Sequence, residues 1–129
     1  LTVGNSSTSP ILKFKIFDEI NSAELKIDGT TVLQNNQIYH IACTYNGNGS
    51  TSGMKIFINN IQENVVASTT GAYGAMSPNT ANVTIMHASW SSKLSTQGVL
   101  DSVGIWKREL SINDIDCIYN KAISGQNLI

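Results

Sequence analysis

Charge is what this chain has least of. Only 13% of its 129 residues are Asp, Glu, Lys or Arg, and 8 basic against 9 acidic groups leave a formal net charge of -1. No basic field is available to hold a phosphate backbone, which argues against nucleic acid as a partner. Long apolar runs are missing too: no stretch of 18 apolar residues could cross a bilayer as a helix. The first residues, "LTVGNSSTSP", lack the basic and apolar regions of a signal peptide, and the absence of an initiator Met leaves open a processed product or a piece of a longer polypeptide. Cysteine is equally sparse. Cys43 and Cys117 are too few for a disulfide framework or a four-ligand zinc site, so both are expected as free, buried thiols, with one bridge between them as the alternative.

What fills the surface instead is amide and hydroxyl: 14 Asn, 15 Ser and 11 Thr. A neutral surface of this kind is commoner on extracellular or virion proteins than on cytosolic enzymes, and the expected location is accordingly a cell exterior or a virus particle. Asn-x-Ser/Thr sequons fall at Asn5, Asn48 and Asn82, a number that random placement of these residues also gives. The length suits one domain with one core.

Period-two alternation recurs along the chain, as half-buried strands require. "ILKFKIF" sets Leu12, Phe14 and Ile16 against Lys13 and Lys15, and "AELKID" sets Ala23, Leu25 and Ile27 against Glu24, Lys26 and Asp28. Residues 11–17 and 23–33 therefore read as consecutive antiparallel strands, with Asp28-Gly29 as the residues of a tight hairpin turn. "QIYHIACTY" suits a central strand that stops at the loop 46–53, "NGNGSTSG", after which "MKIFINNI" resumes with Met54, Ile56 and Ile58 on one face. Residues 68–81 read as a long surface connection, "NVTIM" as a short strand, "HASWSSKLSTQ" as a second irregular segment, and 98–106 as the last long strand. A helix is predicted over 111–123, capped by Ser111 with Asp114 in its first turn, stopped by Gly125, and carrying Ile112, Ile115, Tyr119 and Ala122 as its apolar stripe. Many short strands and one late helix make an antiparallel β-sandwich the expected architecture, although periodicity by itself does not separate a sandwich from a barrel.

Three segments in fixed order now carry a resemblance. Tyr39, His40, Ile41, Ala42, Thr44 and Tyr45 come first, then "MKIFINN", then Gly98, Leu100, Asp101, Val103, Ile105 and Trp106 ahead of a helix opened by Leu110 and Ser111. In these the chain resembles the laminin-G-like, or concanavalin-A-like, jelly-roll domains. The resemblance covers nearly the whole chain and implies an all-β antiparallel sandwich with one short C-terminal helix, a single domain over 1–129. It departs from the family at Asn59-Asn60, where Asn-Gly is usual, and at Met86-His87 in place of Ile-Gly. The family's opening strands have no counterpart before Leu1. The place beside the last strand is then expected to be filled by upstream sequence, by the arm 1–10, or by a neighbouring subunit.

Candidate sites follow from residue chemistry. Asp101 shares a strand face with Val103 and Ile105, where a carboxylate needs hydrogen bonds to be tolerated, and the resemblance implies a structural strut rather than a ligand contact. His40 is likewise expected to be structural, while His87 borders an irregular segment. Calcium is the one cofactor considered. The loop 46–53 offers oxygens but no acid, so no metal or cofactor is expected there. Asp18, Glu19 and Glu24 read as a solvated turn and its flank. The Glu-x-Asp-x-x-Glu motif of the related glucanases and a nucleophile elbow are both missing, so no catalytic residue is expected. Tyr73 and Trp90, in irregular segments, together with Asn46 and Asn48, are the candidates for ligand or interface contact. The expected role is a non-catalytic assembly or adhesion module with protein neighbours, oligomeric and not inserted in a membrane. A lectin-like module contacting glycans is the alternative.

Overall fold

A computed structural model of the protein describes residues 2–6, 9–76 and 98–126. Seven strands, β1 (Thr2–Ser6), β2 (Ser9–Asp18), β3 (Ala23–Gly29), β4 (Ile41–Tyr45), β5 (Met54–Ile58), β6 (Ile61–Gln62) and β7 (Val65–Thr70), precede one helix, α1 (Ile112–Ile123). They form two antiparallel sheets, one in the order β1-β2-β3-β7 and the other β4-β5-β6. The sheets face each other across Leu12, Ile16, Leu25 and Ile27 from the first and Met54, Ile56 and Ile58 from the second, all buried in one cluster. Alternation chose these residues. In β3 every second position, Ala23, Leu25, Ile27 and Gly29, is buried, and the partners between them are not.

A second cluster lies on the other face of β5. Phe57, 3% exposed, meets Leu110 and Ile115, with Ala42 and Ile118 against them. β5 is thus buried on both faces, by the facing sheet and by α1. The helix is docked further by the His40 ring, which meets Tyr119 edge-on with centroids 5.4 Å apart, and by Asn60 Nδ2 donating to Asp116 Oδ1 at 2.6 Å.

Several expectations change. Asp28-Gly29 is not a turn: the strand runs through it, Gly29 lying opposite Val65 of β7 while Asp28 pairs on the outer face with Lys26 at 3.2 Å and Lys13 at 3.7 Å. β3 accordingly ends at Gly29 rather than at residue 33. The reversal after β2 is made by 19–22, where Ser22 takes a φ of 50°. Residues 68–70, expected in a surface connection, belong to β7, recruited by the open edge of β3. The arm 2–6 pairs with β2, Thr2 opposite Lys13. Residues 98–106, expected as a strand, form none, because a strand-forming pattern needs a paired neighbour and no described strand pairs with it. "NVTIM", His87, Trp90 and Asn82 lie outside the described residues.

The departure at Asn59-Asn60 has a simple account. Both residues take positive φ, 49° and 66°, between the paired β5 and β6, as a two-residue turn with left-handed centres requires. Asn tolerates that region almost as Gly does.

Candidate functional site

One end of the sandwich is built by three connections: the turn 19–22, the loop 46–53 and the segment 71–76. Asp18 ties the first to the third. The alternation that turns Leu12 and Ile16 inward continues to Asp18, which is 2% exposed at the end of β2. Its Oδ1 accepts from the Asn21 amide at 3.1 Å, and its Oδ2 from Asn21 Nδ2 at 2.8 Å, the Gly74 amide at 2.9 Å and the Ala75 amide at 3.3 Å. The Asn21 side chain first, and the Gly74 amide next, hold this carboxyl well below the usual carboxylate range. The solvated turn expected at Asp18 is therefore a buried hydrogen-bonded anchor.

Tyr73 is drawn to the same end. It packs against the cluster between the sheets, and burial, then the neighbouring Tyr45, push its hydroxyl above the ordinary tyrosine value. Tyr45 in turn accepts at its hydroxyl from the Gly49 amide at 2.8 Å. Asn46 and Asn48 are spent on the shape of their own loop. Asn46 Oδ1 accepts from the Asn48 amide at 3.0 Å and Asn48 Oδ1 from the Ser50 amide at 3.0 Å, while Asn48 Nδ2 donates to Ser52 Oγ at 3.1 Å. Both carbonyls occupy the space a Cβ at Gly53 would need, which is why that position carries glycine. Structure thus brings Asn46, Asn48 and Tyr73 to one rim but turns the ring of Tyr73 toward the core and the amides toward the loop.

The acids are similarly engaged. Lys15 reaches Glu24 at 3.2 Å, Lys55 reaches Glu109 at 2.8 Å, and Arg108 grips Asp114 through two nitrogens at 2.8 and 3.0 Å. Glu63 accepts from the Thr30 and Thr31 amides and the Thr31 hydroxyl, at 3.3, 2.9 and 2.8 Å. Among the described residues no three His, Cys, Asp or Glu side chains converge on a point where they could hold a metal. Between β5 and the start of α1 a groove of about 290 Å³ is lined by Lys55, Phe57, Gln62, Glu109, Leu110 and Ser111. At the lower limit of small-molecule sites and floored by the buried Phe57, it offers a ligand little apolar surface.

Asp101, expected as a buried strut, is exposed and bonded to no described residue. The segment around it exposes five large apolar side chains within the eight residues 99–106. Val99 is 99% exposed and Ile105 77%, with Leu100, Val103 and Trp106 each near half. The Trp106 ring folds back over Gly104, filling the space where a side chain there would stand. Cys117 is also on the surface, two residues beyond Ile115 and hence on the far side of α1, against the expectation that it is buried. Cys43 is partly buried in β4, burial pushing its thiol up to about 12, and both cysteines are free.

Residues 4–116 match the family described as the concanavalin A-like lectin/glucanases superfamily, laminin G type. Neither a curated protein nor a solved structure matches the chain.

Proposed function

The chain belongs to the concanavalin A-like lectin/glucanase superfamily, and from that premise we propose that it is a non-catalytic module that docks protein neighbours in an assembly, on a cell exterior or a virus particle. The observation that carries this reading is the apolar stretch 99–106, whose Val99, Leu100, Val103, Ile105 and Trp106 face solvent. Scattered exposed apolar residues mean little, but a contiguous run of them is the usual mark of an interaction surface. The neutral, Asn-, Ser- and Thr-rich remainder supports a location outside the cytosol. Against catalysis speaks the use of the acids: Glu24, Glu63, Glu109 and Asp114 are each held by a partner, and Asp18 is buried under backbone amides. The lectin-like alternative ranks second because Tyr73 packs inward and the Asn46 and Asn48 carbonyls are taken up within their loop.

Two measurements on the intact chain test this. A fluorescent apolar probe should bind the wild type and lose most of that binding in Val103→Ser with Ile105→Ser, while no β-glucan or other glycan is hydrolysed. Turnover of a glycan that persists through purification and disappears in Glu24→Gln would refute the non-catalytic reading. Probe binding unchanged by the double substitution would remove 99–106 as the docking surface.

A further inference from the structure

Resting on that reading, we infer that the partner of residues 98–106 is a second copy of this chain, paired antiparallel with the same residues about a twofold axis at Gly104. A twofold axis normal to a two-stranded ribbon passes between two copies of one residue, so the register is defined by which residue lies on it. With Gly104 there, Val103 of each copy stands opposite Ile105 of the other, Ser102 opposite Trp106 and Asp101 opposite Lys107, while Leu100 and Val99 fall opposite Arg108 and Glu109 beyond the ends of this core. The charged pair forms twice, from two exposed side chains placed three residues either side of the glycine. Neighbouring registers form no opposite-charge pair. An axis at Val103 sets Asp101 against Ile105 and Lys107 against Val99, whereas one at Ile105 sets Asp101 against Glu109. Opposite charges directly across a ribbon stabilise it and like charges destabilise it, so Gly104 is the self-complementary centre. The small side chain of Ser102 leaves the facing indole room, and the pairing covers apolar side chains that one copy exposes.

The test follows association of the full chain by sedimentation over a wide concentration range. Wild type should convert from 13.9 kDa to twice that mass. Asp101→Lys and Lys107→Asp should each weaken the dimer about ten-fold or more, and the two together should restore it to within a few-fold of wild type. In a Cys117→Ser background, mixing Val103→Cys with Ile105→Cys should give an oxidised cross-link between the two variants well above that of either alone. A chain monomeric at every concentration, or a double charge swap no better than the single changes, overturns the second copy as partner. Amide exchange of that monomer separates the two ideas: fast exchange over 98–106 leaves the docking reading standing, and slow exchange there removes both.

Discussion

Asp18 is the only acid buried among the described residues. Four donors from Asn21, Gly74 and Ala75 converge on it, joining the end of β2 to a segment 56 residues further along the chain. Because these donors favour the ionised form, the folded pKa lies below the unfolded value of about 3.9. The contribution to stability is therefore complete above that unfolded value and is lost as the pH falls through the depressed folded one. Asp18→Asn keeps the size but puts an amide where only acceptors are served. It should lower the melting temperature at pH 7 by roughly 5–10 °C, with the gap to wild type narrowing as the pH is taken toward 2. Melting curves collected across that range check it, and a gap constant with pH would show that the charge is not what the donors recognise.

At the scale of the element, α1 depends on both its ends and its neighbour. Ser111 Oγ accepts from the Asp114 amide at 3.2 Å while Asp114 Oδ2 accepts from the Ser111 amide at 2.8 Å, a reciprocal cap. At the other end Gly125, φ 69°, turns the chain out, with the Gln126 amide reaching back to the Lys121 carbonyl at 3.0 Å. Twelve residues are too few to hold a helix alone, so capping and the seat on Phe57 must act together. Ser111→Ala should cost about 1 kcal/mol and reduce the helical part of the circular dichroism on mild heating before the β signal changes. Loss of both signals in step would mean that the cap is not separable from the sandwich.

For the whole molecule the decisive feature is that β5 serves two cores. Ile56, fully buried, points between the sheets, and Phe57, 3% exposed, points to α1. Ile56→Ala should cost about 2–5 kcal/mol and weaken the entire fold. Phe57→Ala, with a nominal cost of about 3–5 kcal/mol, should fall mainly on the helix, raising amide exchange over 112–123 while β2 and β3 stay protected. Equal acceleration in all strands for both variants would argue that the two clusters melt as one.

What the sequence determined by itself was the inward face of the paired strands and the bounds of the helix, though not its whole stripe, since Ile112 and Ala122 are exposed. Alternation placed Leu12, Ile16, Leu25, Ile27, Met54 and Ile56 inside, and Ser111, Asp114 and Gly125 bounded the helix within a residue. The same alternation carried on to Asp18 was a signal for its burial, but Asp18 read as a solvated turn because its partners Gly74 and Ala75 lie far along the chain. Pairing was decided only in three dimensions. Asp28-Gly29 looked like a turn until β7 paired with β3, and residues 68–70 looked irregular until β3 offered them an edge. Asp101 looked buried because its neighbours are apolar, yet apolar neighbours bury a carboxylate only where another strand or sheet covers them. That cover is a property of contacts distant in the chain, on which a local pattern carries no information.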